Sequence, residues 1–138
     1  MTQTYTGGCA CRSIRYEHSG ATVAELLCQC QHCRQRSGTG HSAYLVFTNR
    51  AEMAMMGEVK TWNIAGDSGN EKQHAFCPTC GTPLFVTFPG NPAILAIHPG
   101  SLDDPSPFAP QFVTYNMRGQ VWDTLPPTLT TFEKMPTN

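Results

Sequence analysis

At 138 residues, with 40% hydrophobic and 14% charged residues, the chain reads as one domain over 1–138, able to bury about 68–70% of its unfolded surface. Formal net charge is −1, and without a basic stripe or a run of like charge neither nucleic acid nor an anionic membrane is expected as a partner. The longest apolar runs, such as 93–97, are too short to span a bilayer. The opening segment has neither a basic nor an apolar targeting region, so a cytoplasmic location is expected.

Eleven prolines and twelve glycines predict many turns and short strands, hence a mainly β fold. In chain order, 13–17 alternates polar and apolar residues and reads as a strand. The apolar segment 22–27 reads as a second, forming a hairpin with the first across Ser19-Gly20. Residues 29–37 are polar and cysteine-rich, a ligand loop with one helical turn. A clear strand follows at 43–48, then an ambiguous stretch at 52–56 and a strand at 58–64. Residues 66–70 form a turn and 72–76 a strand that delivers Cys77. Strands 84–88 and 93–98 flank Pro89-Gly90-Asn91-Pro92, a strong hairpin signal. Residues 100–110 read as loop, 111–115 as a late strand, and the tail beyond Trp122 is broken by prolines.

Seven cysteines fall in three groups: Cys9 and Cys11, then Cys28, Cys30 and Cys33, then Cys77 and Cys80. In a reducing compartment such spacings indicate metal more than disulfides, and an odd count cannot form a complete disulfide framework. Cys77-Pro78-Thr79-Cys80-Gly81 is a zinc-knuckle pattern in which Gly81 can take the positive φ that turns backbone N–H groups toward sulfur. The rival reading, a redox C-x-x-C, wants a helix where Gly81-Thr82-Pro83 stands. With Cys9 and Cys11 it completes a closed four-thiolate zinc site of structural role. Cys28, Cys30 and Cys33 supply three ligands and leave a fourth position open, the catalytic arrangement. All three come from one short loop, so this second zinc is expected to be the more labile of two per chain.

Around the open site, Arg34 and Arg36 are candidates to offset the thiolate charge and to clamp the carboxylate of a thiol substrate, against the alternative of an ordinary solvated loop. His32 is adjacent to Cys33 and poorly placed to share its ion. His41 and His74 are candidate acid–base groups, whereas His18 and His98 read as strand-end residues. Tyr44, Phe47, Trp62, Phe85 and Trp122 line a pocket or fill the core.

The segment Gly7-Gly8-Cys9-Ala10-Cys11-Arg12-Ser13-Ile14-Arg15-Tyr16 resembles the opening motif of the glutathione-dependent formaldehyde-activating enzyme (GFA) or centromere-protein-V family. Cys28 to Arg34 resembles its C-H-C-x-x-C-R motif, and Phe76-Cys77-Pro78-Thr79-Cys80-Gly81-Thr82-Pro83-Leu84 its third motif. Gly100-Ser101-Leu102-Asp103-Asp104-Pro105, Trp122 and Leu125-Pro126 extend the likeness over about 5–127. The resemblance implies an Mss4-like zinc-bound β fold and the same four-plus-three division of cysteines. It implies a carbon–sulfur lyase that joins glutathione, or another thiol, to formaldehyde or a similar small aldehyde. The alternative is a non-catalytic zinc module or a thiol or metal sensor on the same fold. Two positions depart from the family: Arg12 stands where Gly is usual, and Gln29 where many members have His.

Overall fold

A computed structural model describes residues 3–136. Strand β1 (Gln3–Gly8) leads through the first cysteine turn into β2 (Arg15–Gly20), and β3 (Ala24–Cys28) runs into helix α1 (Gln31–Ser37). Then come β4 (Ser42–Phe47), β5 (Ala54–Met56), β6 (Lys60–Ala65), β7 (Glu71–Phe76), β8 (Pro83–Thr87), β9 (Leu95–Ile97), β10 (Phe112–Thr114) and β11 (Thr130–Thr131). Three short 3₁₀ turns complete the described elements. The mainly β expectation is met.

The strands form two sheets. One has the order β1-β2-β5, the other β11-β10-β3-β4-β9-β8-β7-β6. All pairs are antiparallel except β10, which runs parallel to both β3 and β11. The hairpin of 84–88 with 93–98 is present, Phe85 facing Ile97 and Val86 facing Ala96.

The hairpin expected across Ser19-Gly20 is not. Strand β2 pairs instead with β1, a strand the sequence reading missed, and with β5. Strand β3 crosses into the large sheet. The physical reason lies in the side chains. Tyr16 and His18 point inward with Tyr5, and His18 is fully buried, its Nε2 2.9 Å from Asn49 Oδ1 and its ring edge-on to Phe47 at 4.6 Å. His18 is therefore a core residue rather than a strand-end one. Residues 29–37 hold about two turns of helix rather than mainly loop.

The small sheet packs across one face of the large one. Tyr5, Ile14 and Tyr16 meet Leu45, Phe47, Phe85, Leu95 and Ile97 there, with Tyr5 edge-on to Phe47 at 5.4 Å. Each fully buried side chain of this kind contributes about 1.5–3 kcal/mol. On the opposite face of the large sheet, where Cys28 and Tyr44 cluster with Cys30 and Cys33, lies α1, which is 7 residues long. It cannot cover the central strands. Leu26, Val46, Phe88 and Ile94 are left half-buried on that face.

Candidate metal centres

The two cysteine groups form two separate clusters in this architecture. Cys9 and Cys11 lie in the turn between β1 and β2, Cys77 and Cys80 in the turn between β7 and β8, so this group bridges the two sheets. Its four sulfurs lie within 4.8 Å of one another. Cys11 Sγ is 3.6 Å from Cys9 Sγ and 3.7 Å from Cys77 Sγ. A tetrahedron of thiolates about 2.3 Å from a central ion has edges of about 3.8 Å, whereas a disulfide bond is about 2.05 Å. The donor set therefore fits zinc.

The surrounding backbone is arranged for sulfur anions. Ile14 N–H donates to Cys9 Sγ at 3.2 Å, and Thr79 N–H to Cys77 Sγ at 3.4 Å. Burial opposes ionisation of Cys9, but the Ile14 N–H and the Ser13 hydroxyl outweigh it and bring this thiol down to about 7. The Thr82 hydroxyl and N–H hold Cys80 down to about 5. Gly81 takes φ 79°, as its turn was expected to require, and Arg12 takes φ 67°. Arg12 thus keeps the left-handed geometry that glycine normally supplies, at a cost of about 1–2 kcal/mol.

Cys28 ends β3, and Cys30 and Cys33 belong to the start of α1, all three sulfurs lying within 4.8 Å of one another. Cys30 is the helix N-cap, its sulfur accepting from Cys33 N–H at 3.3 Å. The Cys28 and Cys33 thiols donate to Cys30, which holds it well below the usual thiol range and pushes Cys33 up. Three sulfurs this close cannot all carry charge without a cation among them. Tyr44 reinforces the group: burial raises its phenol well above the usual range, so it stays protonated and donates to Cys33 Sγ at 3.0 Å. Thr114 lies opposite Cys28 in register, its buried hydroxyl beside that thiol and favouring its ionisation.

These thiols open onto a cavity of about 390 Å³. Alternation along the strands builds its floor: Leu26 and Cys28, and likewise Tyr44 and Val46, share one face because successive side chains alternate. His32, Thr114, Tyr115 and Lys72 line the cavity as well, and Arg118 reaches it from the C-terminal side. Tyr115 packs against the three cysteines and holds φ 55°, a left-handed conformation rare for a bulky residue.

Several sequence candidates lie elsewhere. Arg34, Arg36, His41 and His74 are not among the cavity-lining residues. The Arg36 guanidinium lies 5.8 Å from the Trp62 ring centre and 5.4 Å from that of Phe76, a cation–π role in place of a carboxylate clamp. The Arg34 Nε is buried without a partner. His41 Nδ1 is 2.9 Å from Asp123, whose carboxylate also accepts from Gln29 Nε2 at 3.0 Å. Gln29 thus points away from its cysteine neighbours and lines a second cavity with Asp123.

His74 is buried with neither ring nitrogen bonded, and burial, then Arg36 and Lys72, hold its pKa down to about 4. His98, expected at a strand end, follows β9 directly and donates from Nδ1 to the Ala43 carbonyl at 3.0 Å. Of the aromatics, Tyr44 lines the cavity, Phe47 and Phe85 are core, and Trp62 and Trp122 are exposed.

Sequence reasoning missed Lys72, Thr114, Tyr115 and Asp123. The alternation that puts Lys72 on the face of His74 could have found the first. No local signal marks the left-handed Tyr115.

Comparison with known proteins places these observations. The family model described as glutathione-dependent formaldehyde-activating enzyme matches residues 4–118. A crystal structure of a Rhodobacter sphaeroides protein is similar in fold, with a TM-score of 0.52 at 16% identity, covering 71% of this chain and 87% of that one.

Proposed function

The chain belongs to the glutathione-dependent formaldehyde-activating enzyme family, and from that premise we propose that it is a zinc-dependent carbon–sulfur lyase which adds a thiol to formaldehyde or a similar small aldehyde. The proposal treats residues 1–138 as one zinc domain. Cys9, Cys11, Cys77 and Cys80 would hold a structural ion; Cys28, Cys30 and Cys33 would hold a second, with its fourth position toward the cavity. When bound, that second ion lowers the pKa of a coordinated thiol so that it presents sulfur as thiolate at neutral pH.

The remaining work falls to this chain's own residues. Tyr44 fixes the Cys33 sulfur through its phenolic O–H. The cavity walls hold thiol and aldehyde together, converting a bimolecular encounter into a local one. As the carbon–sulfur bond forms, the carbonyl π electrons move to oxygen, and the developing alkoxide takes a proton. Tyr115 is the donor best placed for that oxygen: its phenol is kept protonated by burial, and its ring packs on the three cysteines. Reversal of the same steps splits the adduct. The chemistry is already easy in water, so positioning and one proton donor suffice.

The observation that carries this reading is the convergence of three thiols that open onto a cavity of about 390 Å³. The test is exchange spectroscopy of adduct formation between glutathione and formaldehyde with zinc-loaded protein. The rate should exceed that of buffer, collapse in Cys30→Ser and fall by roughly tenfold or more in Tyr115→Phe. A wild-type rate equal to buffer, unchanged by Cys30→Ser, would remove this assignment.

A further inference from the structure

The cavity beside the three thiols has an unequal composition. Its floor is the uncovered face of the large sheet, apolar from Leu26 and Val46 across to Phe88 and Ile94. The sulfurs sit at one end. At the other, the register Gln73 to Thr87 to Leu95 continues to a row in which Lys72, Phe88 and Ile94 adjoin. Lys72 lines the cavity and, among the described residues, joins no ion pair, whereas Arg118 at the rim is already 3.9 Å from Asp67. The end of the Lys72 side chain lies beside Gly66, which also lines the cavity: a Cβ built there would stand 3.7 Å from Lys72 Nζ.

We propose that this cavity takes a thiol with an apolar, ring-sized body and a single anionic group, its sulfur directed to Cys28, Cys30 and Cys33 and its anion to Lys72. The assignment of the sulfur end rests on the thiol-addition reading above. Glutathione carries two carboxylates and an ammonium. Along the apolar strip such groups have no partners, and the further charged residues that line the cavity, Asp67 and Arg118, already face each other at 3.9 Å; each charged group buried unpaired is strongly disfavoured. One free cation and an apolar wall match one anion on an apolar body. Lys72 is then a specificity-determining residue, anchoring the substrate at a distance from the reacting atoms.

Calorimetric titration of zinc-loaded protein tests this with four probes: 4-(2-mercaptoethyl)benzoate, 2-phenylethanethiol, 4-ethylbenzoate and glutathione. The thiol acid should bind roughly tenfold or more tighter than glutathione. Lys72→Met should weaken the thiol acid by roughly tenfold while leaving 2-phenylethanethiol unchanged, because only the charged partner is lost. Lys72 is half-buried and outside the core, and an unchanged unfolding midpoint establishes that the variant is folded. Tight glutathione binding with no binding of either aryl thiol overturns the substrate class and leaves thiol addition standing. Equal binding of 4-ethylbenzoate and the thiol acid supports the apolar-anion cavity and overturns the role of sulfur. Equal loss of both aryl thiols in Lys72→Met overturns the anion anchor.

Discussion

Replacing Cys77 by Ser perturbs the closed sulfur group at its most buried member, with no exposed surface. Cys11 and Cys77 are separated by 66 positions in sequence. Holding two such points together removes from the unfolded ensemble a loop-closure entropy worth about 4 kcal/mol, by the relation that applies to disulfides. A protein of 138 residues unfolds with an entropy near 0.3 kcal/mol/K, so the thermal midpoint should fall by roughly 10–15 °C.

Cys30→Ser is the matched control. Cys30, Cys28 and Cys33 lie within one short segment, so little loop entropy is at stake. Serine is moreover a favoured N-cap and can take over acceptance of the Cys33 N–H. Differential scanning calorimetry in excess zinc should therefore separate the variants: a large drop for Cys77→Ser, about 3 °C or less for Cys30→Ser. Chelation of the wild type should reproduce the Cys77→Ser curve. Equal drops in both variants, or none in either, would refute the assignment of the structural role to the inter-sheet group.

Two further outcomes follow from buried polar groups. The folded-state pKa of His74 is near 4, below its usual 6.5, so the unfolded chain binds its proton first as pH falls. Stability from this group is complete above about 6.5 and is lost between there and about 4. His74→Leu should flatten the pH dependence of the unfolding midpoint across that window without lowering it at pH 7, because neither ring nitrogen has a partner to lose; a steeper dependence in the variant would contradict the burial argument. Gln29→Ala leaves Asp123 with one donor fewer and opens space beside Gly119, where an added Cβ would meet Gln29 Oε1 at 2.7 Å. The cost is about 1–3 kcal/mol, or roughly 3–10 °C in midpoint, measured by the same calorimetry; an unchanged midpoint would mean the amide is replaceable by water.

The cysteine groups and most strands were legible because their signals are local. Spacing brings Cys77 near Cys80, alternation marks the strand around Tyr44, and Pro89-Gly90-Asn91-Pro92 marks a turn. Partners across the chain were not legible in the same way. Nothing in 13–27 distinguishes a hairpin from a crossover between sheets; that choice is made by Tyr16 and His18 packing against Tyr5 and Phe47, far apart in sequence. The arginines after Cys33 were read by proximity in sequence. On a helix they turn away from the sulfurs, and Arg36 finds Trp62 and Phe76 instead. Tyr115, just past β10, and Lys72, on β7, reach the cavity from segments remote in sequence from the cysteine loop.

That remoteness has a consequence for how the site can vary. The closed group takes its ligands from both sheets, so losing one sulfur loosens the scaffold. The open group takes its ligands from the end of β3 and the start of α1, while the cavity wall comes from β4, β7, β8 and β9. Side chains such as Lys72, Val46, Phe88 and Ile94 can therefore change what lies beside the sulfurs without altering the sulfurs themselves. A shared three-thiol centre is compatible with different substrates in different relatives, and specificity is to be sought on the uncovered sheet face rather than in the cysteine motif.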